Sequence, residues 1–460
     1  MLIKWPKFAR TGILLMLGLL PAFAGNQYLV RTNGNTIAAI ASRHGLNVVG
    51  VFSGSASGLS VVQEPGTATD AQVLQWLQSE PTVVDAEVNA LLMIPEASST
   101  SRLRQQPFNQ TTVMSLLNQI FWNLWSNYGS PLQLTPWTGY TNQVAGSLIN
   151  LTQAHRFATG NGAIVAFLDT GADFTHPALA GSLISGWDFT TNTPGGFAVP
   201  TLNQSTTSIL DQSTTSILDS NSTIVLDQST TSILDQSTTS ILDQSTTSIL
   251  DSTPSDDYGH GTMVAGIIHL VAPGAKLMPI KTFTNDGSAN LSNIVAGIYY
   301  AMDHGVNVIN MSFSMPSPSL ELTKAITAAS AQGLILVASV GNEGEDIMVY
   351  PAGYSQVIGV GSTNDYDQRS TFSNYGPVVT LAAPGEDVIT TYPQDQYAAG
   401  WGTSFSAPMV AGGAALLTQI KPHINFSTAK LALQQATPIG QQLGAGLLNL
   451  YLACSYEASH

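Results

Sequence analysis

The sequence predicts an α/β protein with a mostly parallel sheet covered by helices on both faces, preceded by a small α+β unit. After about residue 145, short apolar segments alternate with helical patterns, which is typical of parallel sheets buried on both faces. Before residue 90, the patterns follow the order βαββαβ, which is typical of a ferredoxin-like sheet. A chain of 460 residues is long enough for two or three domains.

The N-terminal unit, residues 25–96, is built from short elements. Its predicted strands are 28–31, 48–52, 59–62 and 83–88, and its predicted helices are 37–44 and 71–78. The second helix places Val73, Leu74 and Leu77 on one face, so it can cover one side of a sheet. Such a unit indicates no particular function by itself.

The larger unit, residues 141–456, alternates regularly. Its predicted strands are 163–168, 276–280, 306–311, 334–338 and 357–360, and its predicted helices are 260–270, 290–304, 319–332 and 404–420. The last helix is rich in glycine and alanine, which predicts a buried helix in close contact with its neighbours. In parallel sheets of this kind, ligand sites lie at the carboxyl ends of the strands.

The first 24 residues predict an export signal. Lys4, Lys7 and Arg10 precede a short apolar run, and Ala22-Phe23-Ala24 matches a small-x-small cleavage site. No later stretch is long and apolar enough to cross a bilayer. We therefore expect a secreted chain, cut after Ala24, with no membrane span once the signal is removed.

Two segments interrupt the folded units. Residues 97–140 are loosely patterned and predict a connector with one docking helix at 114–128. From 203 to 250, an eight-residue unit, Asp-Gln-Ser-Thr-Thr-Ser-Ile-Leu, recurs six times with small variations. This low-complexity segment predicts a surface insertion in the larger unit, with hairpin formation or self-association of its β-prone core as the alternative.

The composition excludes several classes of protein. The formal net charge is -15 and only 9% of residues are charged, so we expect no nucleic acid partner. Cys454 is the only cysteine, which rules out an intrachain disulfide framework and a multi-cysteine metal site.

Three polar stretches coincide with the ends of predicted strands or the starts of predicted helices. Asp169 follows an apolar strand, His260 opens one helix and Ser404 opens another. A serine hydroxyl becomes a nucleophile when a histidine removes its proton, and a carboxylate orients that histidine. The alternative is purely structural, because Ser404 and His260 could cap their helices and Asp169 could stabilise a turn.

The surrounding residues resemble those of subtilisin-like serine peptidases. Asp169-Thr170-Gly171, His260-Gly261-Thr262 and Gly402-Thr403-Ser404 are similar to the three active-site motifs of that family, in the same Asp, His, Ser order. Residues 308–312 and 340–344 resemble its substrate-binding strand and its oxyanion stretch. The resemblance covers residues 145–451 and implies the subtilisin-like α/β fold.

The resemblance also implies roles for individual residues. Ser404 would be the nucleophile, His260 the general base and acid, and Asp169 the group that orients His260. Asn342 would donate its amide to the oxyanion beside the Ser404 backbone N–H. The residues implied in substrate binding are Ser312, Phe313, Ser314 and Gly341. The reaction would be hydrolysis of peptide bonds in protein or peptide substrates, with no cofactor required for the chemistry and no metal ligand assigned.

The N-terminal unit resembles the inhibitory propeptide of this family in its element order and its location. The resemblance implies a precursor that is inhibited in cis by its own propeptide and is cut by itself within residues 97–140. We expect the product to be a monomer.

The sequence departs from the family pattern in three places. Ser314 and Met315 stand where the family usually has two glycines, which predicts a reshaped substrate pocket. The calcium loop that many relatives carry before Ala272-Pro273 is missing, so no calcium site is predicted from a motif, although structural calcium elsewhere is compatible with the sequence. The repeat insertion widens the separation of Asp169 and His260 to 91 residues.

Two other functions are alternatives to a peptidase. An α/β-hydrolase esterase would need Gly-x-Ser-x-Gly and the order Ser, Asp, His, and Ser406 stands where the second glycine should be. A catalytically weak scaffold that serves adhesion through the repeat insertion is the second alternative, and the intact set of Asp169, His260, Ser404 and Asn342 speaks against it.

Overall fold

A computed structural model describes residues 26–66, 68–94, 136–197, 224–225 and 259–460. The predicted export signal, the docking helix at 114–128 and almost all of the repeat insertion lie outside these residues. No helix in the described part of the chain is long and apolar enough to cross a membrane.

The N-terminal unit has the predicted βαββαβ order. Its elements are β1 (Gln27–Thr32), α1 (Ile37–His44), β2 (Asn47–Val51), β3 (Leu59–Gln63), α2 (Asp70–Gln78) and β4 (Val83–Val88). The strands form an antiparallel sheet in the order β2-β3-β1-β4. Thr69 begins α2 through a capping box with Gln72, and Gly45, in the left-handed conformation, ends α1. Both helices pack their apolar faces on Tyr28 and Val30.

The larger unit is organised around an eight-stranded sheet. Its strands are β6 (Ile164–Asp169), β7 (Gly186–Asp188), β8 (Thr193–Gly195), β10 (Lys276–Lys281), β12 (Val308–Met311), β13 (Ile335–Ser339), β14 (Ile358–Thr363) and β15 (Leu381–Pro384). They lie in the order β15-β14-β13-β12-β6-β10-β7-β8, and only the last pair is antiparallel. This confirms the predicted mostly parallel sheet.

Helices cover both faces of this sheet. They are α3 (Pro136–Thr141), α4 (Val144–Leu148), α5 (Leu151–Ala154), α6 (His260–Val271), α7 (Leu291–Asp303), α8 (Leu320–Ala331), α9 (Thr403–Ile420), α10 (Phe426–Leu433) and α11 (Leu450–Ser459). Residues of α6 and α9 fill the core on one face, and residues of α7 and α8 fill the core on the other.

The small residues of α6 and α9 allow close packing. A Cβ on Gly412 of α9 would lie 2.6 Å from Cβ of Val271 in α6, so a side chain there would force the helices apart. A Cβ on Gly266 would lie 2.3 Å from the hydroxyls of Thr390 and Thr391. The predicted close contact of the 404–420 helix is confirmed.

Several elements were not anticipated from the sequence. The strands are β5 (Leu91–Met93), β9 (Ile224–Val225), β11 (Ser288–Asn290), β16 (Val388–Tyr392) and β17 (Gln396–Gly400), and the helices include α10 and α11. Strands β16 and β17 form a hairpin beside α6, with β9 parallel to β17. Tyr140, placed at the connector boundary by the sequence, is buried and donates to the carbonyl of Gly266 at 2.7 Å, so it packs with the larger unit.

Candidate active site

Asp169 and His260 meet at the carboxyl end of β6. Asp169 is the last residue of β6, and His260 is the first residue of α6. The Nδ1–H of His260 donates to Oδ1 of Asp169 at 2.8 Å, and both side chains are buried. Because a carboxylate accepts only, this contact sets the tautomer of the ring and directs Nε2 away from Asp169.

Thr170 braces this pair. Its backbone N–H donates to Oδ1 of Asp169 at 2.7 Å, and its hydroxyl accepts from the backbone N–H of Gly261 at 3.1 Å. A Cβ on Gly261 would lie 2.0 Å from the carbonyl oxygen of Gly171 and 3.0 Å from Oδ1 of Asp169, so only glycine fits at this position. Thr170 therefore ties the start of α6 to the end of β6.

Ser404 lies in the first turn of α9, beside α6. The N-cap of α9 is Gly402 and its first helical residue is Thr403, so the alternative that Ser404 caps this helix is wrong. Gly259 likewise precedes His260 as the N-cap of α6. The ring of Phe405, the next residue, lies 5.6 Å from the ring of His260 between centroids. Ser404 therefore lies at the same end of the sheet as His260, at the N-terminus of α9, where the helix dipole is positive.

Asn342 is held by the residue that precedes Ser404. Its Oδ1 accepts from the backbone N–H and from the hydroxyl of Thr403, both at 2.9 Å. These two contacts assign the oxygen end of the amide to Thr403, and the N–H₂ end therefore points the other way. An amide oriented like this is suited to donate to a developing oxyanion.

Of the four residues implied in substrate binding, Ser312 contacts Ser404 directly. Ser312 donates its hydroxyl to the carbonyl of Ser404 at 2.9 Å, and Ser404 Oγ lies 3.4 Å from the carbonyl of Ser312. Phe313 is fully buried against Phe283. Gly341 has φ +90°, and a Cβ there would lie 2.6 Å from Oε2 of Glu343 and 3.4 Å from Oγ of Ser314. The structure therefore brings Ser312 into contact with Ser404, whereas the side chain of Phe313 is enclosed in the core.

A buried cation lies beside the Asp169 segment. Lys281 ends β10, and the strand register places it between Asp169 on β6 and Asp188 on β7. Its Nζ donates to the carbonyl of Thr170 at 2.5 Å and to Oδ1 of Asn285 at 2.9 Å. Burial lowers the pKa of Lys281 to about 8, against the opposing influence of Asp188, Asp169 and Asp286.

The motifs indicate the candidate reactive residues and assign no role to the residues that hold them. Thr170 and Thr403 lie within the motifs and Asn310 lies within the predicted strand 306–311, whereas Lys281 lies one residue beyond the predicted strand 276–280. The sequence carries one signal for Lys281, which directly follows an apolar strand. A lysine at such a position is rarely buried without polar partners, so polar neighbours were to be expected. Within the described residues, no group of three or more His, Cys, Asp or Glu side chains is placed to hold a metal ion.

Comparison with known proteins identifies the class to which this fold and site belong. Residues 160–450 match the sequence model of the subtilase family, peptidase S8. The chain therefore belongs to the subtilase family. It is a serine-type endopeptidase, its substrates are proteins, and the chemistry of its family needs no cofactor.

The curated relatives agree with this assignment. The chain is 32% identical to thermitase from Thermoactinomyces vulgaris over 320 residues, which is 67% of this chain and 94% of thermitase. It is 38% identical to subtilisin BL from Lederbergia lenta over 206 residues, which is 42% of this chain and 77% of subtilisin BL.

A solved structure shares the fold over nearly the whole chain. Fervidolysin from Fervidobacterium pennivorans, described as a keratinolytic enzyme related to subtilisin, superposes with a TM-score of 0.67 at 22% identity. The match covers 98% of this chain and 64% of fervidolysin, so this chain spans just under two thirds of that protein.

Proposed function

We propose that this peptidase cleaves peptide bonds through an acyl-enzyme formed on Ser404, with His260 and Asp169 completing a catalytic triad. The single observation that carries the proposal is the buried 2.8 Å contact between His260 Nδ1 and Asp169 Oδ1, at the strand end where α9 presents Ser404. This contact holds His260 in the tautomer that can accept a proton at Nε2.

The proposed reaction uses each group in turn. Ser404 Oγ attacks the scissile carbonyl while His260 takes the hydroxyl proton, and Asp169 stabilises the imidazolium that forms. His260 then gives this proton to the leaving amine, which leaves an ester on Ser404. A water molecule then attacks the ester while His260 takes a proton from it. His260 gives this proton to Ser404 Oγ as the ester bond breaks. The Asn342 amide and the Ser404 backbone N–H stabilise the oxyanion in both steps.

Substrate binding is assigned to Ser312, Phe313, Ser314 and Gly341. The support is the contact of Ser312 with Ser404, in which the Ser312 hydroxyl donates to the Ser404 carbonyl and the Ser312 carbonyl lies 3.4 Å from Ser404 Oγ. Phe313 and Ser314 follow Ser312 directly in the chain, and Gly341 has the left-handed backbone that favours glycine. Ser314 and Met315 replace the small residues expected in the family, and Met315 pairs with Tyr350 through two backbone hydrogen bonds of 2.7 and 2.9 Å. This pairing ties the backbone at Met315, next to Ser314, to Tyr350.

The N-terminal unit is assigned as an inhibitory propeptide that acts in cis. In support, β5 pairs antiparallel with β11 of the larger unit, and Leu92 and Ile94 pack in the same apolar cluster as Phe313. Glu87 accepts from the hydroxyl of Ser319 at 2.7 Å and from the backbone N–H groups at the start of α8 at 2.9 and 3.0 Å. A carboxylate at a helix N-terminus is a favourable contact.

The precursor is further assigned as secreted, with self-cleavage within residues 97–140. The pattern of residues 1–24 supports export, and inhibition before export would protect the producing cell.

Labelling with a serine-directed fluorophosphonate tests the triad. The processed protein should be labelled once, and labelling should disappear in Ser404→Ala and fall at least 10³-fold in His260→Ala. A matched control is His155→Ala, because His155 contacts the carbonyl of Val271 at the far end of α6. A folded, processed protein without labelling would contradict the peptidase assignment and favour a scaffold role.

A further inference from the structure

The carbonyl of Ser404 has lost the partner that a regular helix would provide. In an α-helix, the carbonyl of residue 404 accepts from the N–H of residue 408. Residue 408 is a proline inside α9, which has no N–H and whose ring also displaces that carbonyl. An unmet buried carbonyl costs free energy comparable to a lost hydrogen bond, so another donor is required.

Ser312 supplies that donor, and Asn310 holds Ser312. The hydroxyl of Ser312 donates to the carbonyl of Ser404 at 2.9 Å, and the Nδ2 group of Asn310 donates to the hydroxyl of Ser312 at 2.9 Å. Both side chains are buried. Because a hydroxyl has one proton, the donation from Asn310 commits the Ser312 proton to Ser404.

Asn310 is itself fixed by the sheet. It lies on β12 between β6 and β13, paired with Phe167 and Val337. The backbone of Ser312 also lies next to the reactive hydroxyl, since its carbonyl is 3.4 Å from Ser404 Oγ. Movement of Ser312 would therefore move both the carbonyl and the hydroxyl of Ser404.

We propose that Asn310 and Ser312 are positioning residues that take over the hydrogen bond vacated by Pro408 and so fix the backbone of the nucleophile Ser404. This inference rests on the proposed function, because it assumes that Ser404 is the nucleophile. Neither side chain touches the reacting atoms; both act through the Ser404 carbonyl. The first turn of α9 can then stay open to substrate while its backbone remains rigid.

A double-mutant cycle tests the inference. Asn310→Ala and Ser312→Ala should each lower kcat at least tenfold and change KM less than about threefold, because each removes a buried side chain that acts on the nucleophile and keeps the backbone of residue 312, which remains for substrate binding. Pro408→Ala restores an N–H at residue 408. In that background, Ser312→Ala should cost less than about threefold in kcat, because the helix then provides the donor itself.

Controls separate this role from general destabilisation. Thr418→Val removes a hydroxyl that donates to the carbonyl of Ala414 in the same helix, about 20 Å from Ser404, and should leave kcat unchanged. If Asn310→Ala does not fold, Ser312→Ala and Pro408→Ala still complete the double-mutant cycle, because Ser312→Ala removes only the hydroxyl. Fluorophosphonate labelling rates should follow kcat in every variant.

Three results would overturn the inference: equal losses from Ser312→Ala with and without Pro408, a rise in KM with kcat unchanged, or full activity in both single variants. These differ from failure of the proposed function, in which the parent protein is not labelled at all.

Discussion

Among the described residues, Arg31 forms the most deeply buried ion pair between the N-terminal unit and the larger unit. Its Nε lies 3.0 and 3.1 Å from the two carboxylate oxygens of Glu321, and its Nη2 lies 2.5 Å from one of them. The Glu321 side chain is 0% exposed and that of Arg31 is 18% exposed. Replacing Arg31 with methionine keeps the aliphatic stem and leaves Glu321 buried without its main partner.

The size of the effect follows from this burial. Removing one partner of a buried, hydrogen-bonded ion pair at an interface costs about 2–5 kcal/mol. Lys324 remains 3.1 Å from Glu321, so the lower part of that range applies. A loss of about 2–3 kcal/mol weakens binding of the N-terminal unit about 30- to 150-fold.

Inhibition in trans measures this loss. Residues 25–96, made separately, are titrated against the processed peptidase, and the inhibition constant is read from hydrolysis of a peptide substrate. Arg43→Met is the matched control, because Arg43 is 54% exposed and pairs with Glu80 of its own unit. That control should change the inhibition constant less than about threefold.

Equal weakening of inhibition by Arg31→Met and Arg43→Met would contradict this role of the Arg31–Glu321 pair. A second check uses Glu321→Gln on the peptidase side. Because this variant carries no charge at residue 321 that could be left buried without a partner, Arg31→Met should then raise the inhibition constant less than about fivefold.

Four further substitutions test the processing, catalytic, specificity and electrostatic assignments. Ser404→Ala should leave the precursor as one uncut chain on denaturing electrophoresis, and a cut within residues 97–140 would show processing by another enzyme. Asn342→Leu should lower kcat about 10²–10³-fold with little change in KM, a magnitude taken from the corresponding donor of subtilisin, a relative in this family; an unchanged kcat would remove Asn342 from the oxyanion site. Ser314→Gly should raise about tenfold the kcat/KM ratio for phenylalanine over alanine before the scissile bond, because it removes the hydroxyl that faces Gly341; an unchanged ratio would mean that Ser314 does not limit the pocket. Lys281 has a pKa of about 8 in the folded protein and an ordinary value of 10.5. Between these two pH values the unfolded state binds more protons than the folded state, so the free energy of unfolding should rise with pH by up to about 3 kcal/mol. Lys281→Met, compared with the parent by urea unfolding at pH 7.5 and 10.5, should lack this rise.

The sequence predicted well those elements whose starts are marked locally. Glycine precedes His260 and Thr403, and long runs of small apolar residues follow, so both helices begin within one residue of the predicted position. The hairpin of β16 and β17 was missed because Thr390 and Thr391 resemble surface residues. They are buried, and their hydroxyls donate to the carbonyls of Met263 and Thr262 in α6. A polar residue whose partner lies on a distant element cannot be recognised as buried from its neighbours in the chain.

The sequence by itself determined which reactive groups are present and in what order. Motifs singled out Asp169, His260, Ser404 and Asn342 as the candidate carboxylate, base, nucleophile and oxyanion donor, because these roles depend on residue types in short local patterns.

Only the tertiary structure decided what holds these groups in place. Lys281 reaches Thr170 across 111 residues of sequence, Ser312 reaches the Ser404 carbonyl across 92, and Arg31 reaches Glu321 across 290. Such contacts depend on strand register and on which helices pack together, and neither is encoded in a local pattern. Pro408 illustrates both contributions. The sequence shows that residue 408 has no N–H to donate, and only the folded chain shows that the hydroxyl of Ser312 donates to the Ser404 carbonyl in its place.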